Sequence, residues 1–165
     1  MTLKVLDASP PLPTVLIADD ESSMRLLVHA TIESNDYNVM EAADGDEAWA
    51  SIEQHKPALV LLDVQMPGRT GLEILTLLKS EPSLAATRVI MLTARALTSD
   101  VAAGMDAGAD LYMTKPFSPL ELLTRVDEML RRWRSLAAVH VLPARPAVAG
   151  RDSVAHRTST KKQAV

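Results

Sequence analysis

Four short apolar runs each break off at a polar residue, and the four polar residues differ in kind. Thr14-Val15-Leu16-Ile17-Ala18 runs into Asp19-Asp20-Glu21, and Ala58-Leu59-Val60-Leu61-Leu62 runs into Asp63. Arg88-Val89-Ile90-Met91-Leu92 leads to Thr93, and Asp110-Leu111-Tyr112-Met113-Thr114 leads to Lys115-Pro116. A strand covered on both faces reads as a continuous apolar run, and strands that alternate with helical patterns assemble into a parallel sheet. In such a sheet all four ends lie along one edge, where open α/β folds place their ligands. Carboxylates, a hydroxyl and an ammonium would then converge in one crevice.

The stretches around these runs carry helical periodicity, so strand and helix alternate five times. The first strand covers 14–18. A helix follows from about Ser22, whose hydroxyl suits a cap, with Met24, Leu27, Val28 and Ile32 spaced for one buried face. Tyr37 to Ala42 reads as a second strand, Asp44-Gly45 as a turn, and Asp46 to Gln54 as a short helix burying Ala48, Trp49 and Ile52. Lys56-Pro57 breaks that helix before the third strand at 58–62. Pro67-Gly68 makes a loop, and Gly71 to Ser80 is helical with Leu72, Leu75 and Leu78 inward. Strand four is 88–92, a fourth helix spans about Ser99 to Ala107 with Gly108 as its cap, and strand five is 110–114. Ser118-Pro119-Leu120-Glu121 opens the last helix with a capping serine, a first-turn proline and a glutamate at the third helical position. Its apolar face of Leu122, Leu123, Val126, Met129 and Leu130 extends past Trp133 toward Val141, and Pro143 and Pro146 end it. The expected class is α/β, in three α/β/α layers.

Residues 13–131 hold the whole periodic pattern, 132–142 prolong the last helix, and 143–165 read as a disordered basic tail. Charge divides along the same line. From Arg131 onward there are eight Lys/Arg and one acid, a net +7, so a whole-chain charge of −4 leaves −11 on residues 1–130. An acidic body disfavours nucleic acid and favours cations, and after Trp133 no aromatic residue offers a base a stacking platform. Without cysteine there is neither a disulfide framework nor thiolate chemistry, which fits a reducing cytosol. The N-terminus lacks a basic-then-apolar leader and no apolar run reaches bilayer length. The expected location is cytoplasmic, with no membrane insertion.

Three carboxylates at one mouth repel one another unless a cation neutralises them, so Asp19, Asp20 and Asp63 imply a bound Mg²⁺. Asp20 and Asp63 are assigned as direct ligands, the Gln65 backbone carbonyl as the third protein ligand, and Asp19 as holding the metal through water. Asp63 is also the candidate nucleophile, since a carboxylate attacking phosphorus in line forms a mixed anhydride. Phosphoryl transfer asks chiefly for positioning and charge neutralisation. Lys115 would pair with one phosphoryl oxygen and Thr93 would hydrogen-bond another. A blander reading makes the acidic run a helix-start cap, Thr93 an ordinary strand-end hydroxyl and Lys115 a surface amine. That reading leaves their joint placement at strand ends unexplained. A cis Lys115–Pro116 bond would help turn the lysine back into the crevice. Tyr112, one strand period from Thr114, either faces outward as a rotamer switch or packs as a half-buried strand tyrosine. Met66-Pro67-Gly68 is expected to shape the loop over the metal.

Taken together, these residues resemble the receiver domain of bacterial two-component response regulators, the CheY-like family. The marks are Asp19-Asp20-Glu21, Leu62-Asp63-Val64-Gln65-Met66-Pro67-Gly68, Gly71, Thr93-Ala94 and Lys115-Pro116-Phe117, spread over roughly residues 13–131. The resemblance implies a flavodoxin-like fold, a five-stranded parallel sheet in order 2-1-3-4-5 flanked by five helices. It also implies a phosphoacceptor switch rather than an enzyme. A histidine kinase or histidine phosphotransfer protein would donate to Asp63, giving a 4-aspartylphosphate in a Mg²⁺-dependent reaction. Thr93 and Tyr112 would then move toward the phosphoryl group and remodel the face of helix four, strand five and helix five for a downstream protein target. The family's commonest loop reads Met-Pro-x-Met-Asp-Gly, whereas here it is Met66-Pro67-Gly68-Arg69-Thr70-Gly71. The lost acid and the gained Arg69 could alter kinase docking while leaving the chemistry intact. Gln65 and Arg95 stand where the family tunes the lifetime of the anhydride, in part through the domain's own dephosphorylation.

The residues after 131 are too few for a winged helix or a cyclase, so a stand-alone receiver acting through a protein contact is expected. A non-phosphorylated interaction module would have no need of the complete acid, threonine and lysine set. A metal-dependent phosphohydrolase commonly carries a second acid two residues past its nucleophile; Gln65 occupies that position and cannot donate the proton. The extended last helix could support a homodimer in either case.

Overall fold

The computed structural model describes residues 11–94 and 98–140, with side chains described over 11–94 and 101–135. Arg95 and the tail 143–165 lie outside the described residues. Strands β1 (Thr14–Ala18), β2 (Asn38–Ala42), β3 (Leu59–Asp63), β4 (Arg88–Thr93) and β5 (Leu111–Thr114) alternate with helices α1 (Ser22–Ile32), α2 (Gly45–His55), α3 (Gly71–Ser80), α4 (Thr98–Asp106) and α5 (Pro119–His140). A single 3₁₀ turn, Pro82–Leu84, sits between α3 and β4. All five strands are parallel, in the order β2-β1-β3-β4-β5. No described helix is long and apolar enough to cross a membrane.

The two-residue period of a strand explains why the central runs are apolar throughout. Val15 and Ile17 of β1, Leu59 and Leu61 of β3, and Ile90 and Leu92 of β4 point to one face, against Val28 and Ile32 of α1 and Leu122, Val126, Met129 and Leu130 of α5. Leu16, Ala18, Val60, Leu62, Val89 and Met91 point to the other, against Ala48 and Ile52 of α2 and Ile74, Leu75 and Leu78 of α3. Each fully buried leucine or isoleucine in these layers contributes about 1.5–3 kcal/mol.

Several local expectations are corrected. The α1 cap is Glu21 rather than Ser22, with no side-chain cap bond; the Glu21 amide instead donates to Asp19 Oδ1 at 2.9 Å. Leu27 is 49% exposed, so the buried stripe of α1 is Val28 and Ile32, with Met24 half-buried. In α3 the inward set is Ile74, Leu75 and Leu78, a three-and-four spacing that leaves Leu72 half-buried, as Trp49 is on α2. α3 also opens with a reciprocal capping box between Thr70 and Glu73, whose Thr-x-x-Glu signal is present in the sequence. β3 and β4 each run one residue past their apolar pattern, because Asp63 still pairs with Leu92 and Thr93 with Thr114. The polar residues are thus the last rungs of the ladder and inherit its rigidity.

At the opposite end of the sheet, Asp110 accepts from Arg88 Nη1 at 2.7 Å and from the Val89 amide at 2.9 Å, with Lys79 Nζ at 3.6 Å. These bonds clamp the α4–β5 turn to the start of β4. Asp110→Ala strands a guanidinium and an amide, so urea unfolding should read a loss of about 2–3 kcal/mol. Tyr37, 4% exposed, donates its hydroxyl to the Ile32 carbonyl. Burial first, then the charges of Asp127 and Asp36, push that hydroxyl up to about 12 from 10.0. Above the unfolded value the unfolded chain binds fewer protons than the native one. Stability present below pH 10.0 is therefore lost as pH rises toward about 12. The total loss is roughly 2–3 kcal/mol at about 1.4 kcal/mol per unit. Tyr37→Phe should flatten that slope in urea titrations across the alkaline range.

Candidate functional site

Asp19 follows β1, Asp63 ends β3, Thr93 ends β4 and Lys115 follows β5, so the parallel ladder delivers all four to one edge. Asp19, Asp20 and Asp63 each present a carboxylate oxygen, the three lying within 4.8 Å of one another. Lys115 Nζ stands 2.5 Å from Asp19 Oδ2 and 3.5 Å from Asp63 Oδ2. Asp19, Asp63 and Thr93 are buried, whereas Asp20 is exposed at the mouth. The Lys115 amide donates to the Thr93 carbonyl at 2.6 Å. The Lys115–Pro116 peptide is cis and the lysine side chain enters the crevice, both as expected.

Three carboxylates facing one ammonium leave two negative charges uncompensated if all ionise. Burial pushes the Asp63 carboxyl above its ordinary value; the Lys115 charge opposes the rise, Asp19 adds to it, and the Gln65 backbone N–H lowers it again. A divalent cation would balance the remainder. The donors are hard oxygens, with no imidazole among the three, and the exposed Asp20 leaves room for water ligands. That chemistry fits Mg²⁺.

The loop after β3 is held at close quarters. A Cβ on Gly71 would lie 2.1 Å from the Asp63 carbonyl oxygen, and the Gly71 amide donates to the Val64 carbonyl at 2.9 Å. Only glycine permits that approach. From the other side the Gly45 amide donates to the Pro67 carbonyl at 2.9 Å, and the Arg69 guanidinium pairs with the Asp46 carboxylate. Sequence reasoning gave Arg69 an outward role and missed this partner, for no periodicity links positions twenty-three apart. Met66 is buried among the α2 and α3 side chains, while Gln65 is exposed. Tyr112 is half-buried in the same layer, its ring 2.7 Å from where a Cβ on Gly104 of α4 would stand. In this structure Tyr112 stands as a half-buried strand tyrosine. A separate groove of about 710 Å³ opens between α2 and α3, lined by the Arg69–Asp46 pair together with Glu73, Leu72 and Leu77.

The sequence profile of the response regulator receiver domain matches residues 15–127. Over 128 residues the chain is 39% identical to the phosphate regulon transcriptional regulatory protein PhoB of Klebsiella pneumoniae, covering 78% of this chain and 56% of that protein. It is 41% identical over 118 residues to the alkaline phosphatase synthesis transcriptional regulatory protein PhoP of Bacillus subtilis, covering 72% and 48%. The chain thus spans about half the length of these relatives. A CheY-like response regulator receiver domain protein from Methanospirillum hungatei superposes with a TM-score of 0.70 at 30% identity, covering 76% of this chain and 98% of that one. Chemotaxis response regulator CheY4 of Vibrio cholerae gives 0.66 at 31% identity, covering 72% and 98%.

Proposed function

The chain belongs to the response regulator receiver family, and from that premise we propose that it accepts one phosphoryl group on Asp63. The observation that carries this reading is the meeting of Asp19, Asp20, Asp63 and Lys115 at one sheet edge beside Thr93. An Asp63 carboxylate oxygen forms the new O–P bond as the P–N bond of a donor phosphohistidine breaks. The imidazole nitrogen leaves with the electron pair and takes a proton from solvent. The donor is a histidine kinase or a histidine phosphotransfer protein. Lys115 and the Gln65 N–H oppose the burial of Asp63 and so favour the ionised, attacking form. Held by Asp20, Asp63 and the Gln65 carbonyl, with Asp19 acting through water, Mg²⁺ would supply charge neutralisation on the transferring group.

Before transfer Lys115 is bonded to Asp19. After transfer it exchanges part of that contact for a phosphoryl oxygen, and the Thr93 hydroxyl bonds another. These contacts exist in one state alone, so they can shift a two-state equilibrium. Thr93 and Tyr112 move toward the phosphoryl group and the face of α4, β5 and α5 changes. The receiver unit covers 13–131, and α5 runs on to His140. The domain works in the cytoplasm and, with water as the acceptor, assists its own dephosphorylation. A charge of −11 on residues 1–130 supports a protein target rather than nucleic acid for this domain. The relatives are named as transcriptional regulatory proteins, and the matched stretch spans about half of their length.

The test is intact mass after incubation with acetyl phosphate. One phosphoryl group should be gained with Mg²⁺ and none with EDTA. Continuous release of phosphate from model esters would favour a phosphohydrolase instead.

A further inference from the structure

Arg25, on the first turns of α1, reaches back over the helix start. Its Nη1 donates to the Asp19 main-chain carbonyl at 2.8 Å, and its Nε lies 3.4 Å from Oε2 of Glu41 on β2. His29 Nδ1 stands 2.5 Å from the other oxygen of the same Glu41. The Asp19 amide donates to the Ala42 carbonyl at 3.2 Å, which closes a ring of bonds across the ends of β1 and β2. Asp19 is thereby held at its amide, its carbonyl and its carboxylate. The Arg25 side chain is 17% exposed, so this is more than a solvated surface contact.

Helix stability does not account for the arrangement. A helix N-terminus needs partners for its N–H groups, and the Asp19 carbonyl precedes the cap. A cation in the first turns also opposes the helix dipole. Placed beside a site for a divalent cation, it is electrostatically wrong a second time. What the guanidinium does supply is a planar fork with two fixed directions, one to a loop carbonyl and one to a neighbouring strand.

We propose that Arg25 is a positioning residue: it sets the Asp19–Asp20 peptide so that both carboxylates face Asp63. The inference rests on the reading of the crevice as a Mg²⁺ site.

The sign of one measurement separates orientation from charge. If Arg25 acted through its charge alone, Arg25→Ala would bind Mg²⁺ more tightly and Arg25→Lys would match wild type. Orientation predicts the reverse. In calorimetric titrations of the full chain both variants should weaken Mg²⁺ binding, Arg25→Ala by roughly tenfold, the lower end for partners of metal ligands. Hydrogen exchange at the Glu21 amide in the metal-free protein should quicken in both, since its acceptor is the Asp19 carboxylate. Unchanged or tighter binding in Arg25→Ala, or wild-type affinity in Arg25→Lys, overturns the inference. Should Arg25→Ala fail to fold, the Arg25→Lys arm decides. A wild-type chain that binds no Mg²⁺ sinks the parent reading, whereas wild-type binding with unaltered variants sinks this one alone.

Discussion

Asp63→Asn is expected to take phosphoryl uptake from acetyl phosphate below detection, a fall of at least about 10²-fold, since an amide cannot form the anhydride. Intact mass spectrometry reads the outcome directly; uptake at wild-type level would place the acceptor elsewhere. The same substitution carries a stability consequence of opposite sign. The native Asp63 carboxyl holds its proton more tightly than the unfolded one, whose value is 3.8. Above 3.8 the native state binds more protons than the unfolded chain, so stability falls with rising pH until the native value is passed. Above that native value the cost is present in full. Metal-free Asp63→Asn should melt above wild type at neutral pH, and the gap should narrow as pH falls toward 3.8. A lower melting temperature for the variant at neutral pH would refute the electrostatic account.

Lys115→Met is the second large effect. The substitution keeps length and removes the ammonium that lies between Asp19, 1% exposed, and Asp63, 8% exposed. Breaking a buried ion pair from one side is expensive because the partner charge stays behind. Urea unfolding without metal at neutral pH should show a loss of about 2–4 kcal/mol. Saturating Mg²⁺ should restore part of it, since a ligand that binds only the native state stabilises by mass action. Phosphoryl uptake should slow by about 10²–10³-fold, the scale of losing one donor aimed at developing charge. An unchanged urea midpoint in the metal-free variant would mean that the lysine does not hold the acids together.

Much of the fold is legible in the chain because burial on two faces writes itself as unbroken apolar runs. The runs at 58–62 and 88–92 are such cases, and both are found in the centre of the sheet. Boundaries were less legible. A polar residue ends an apolar pattern without ending a ladder, so Asp63 and Thr93 belong to strands whose hydrophobic runs stop one residue earlier. The inward face of a helix was also misjudged by one position, since periodicity placed both Leu27 and Val28 inside. Leu27 and Val28 are adjacent, and the crossing of α1 over sheet and α5 buries the second and exposes the first. Thr70 and Glu73 carried a readable capping signal that pattern-reading passed over.

The side-chain partners that tie separate elements together belong to a different category. Arg25 with Glu41, Arg69 with Asp46, and Arg88 with Asp110 join residues on separate elements, at separations that no helical or strand period spans. From sequence alone come the alternation of elements, the acids at the strand ends and the hydroxyl and amine that accompany them. These are one-dimensional signals, set by burial and by chain direction. Tertiary structure alone decided that Lys115 leans on Asp19 at 2.5 Å before it reaches Asp63 at 3.5 Å, and that a guanidinium holds the Asp19 carbonyl. Such contacts depend on how neighbouring strand ends and loops are offset in space, and that offset exists only once the sheet has formed.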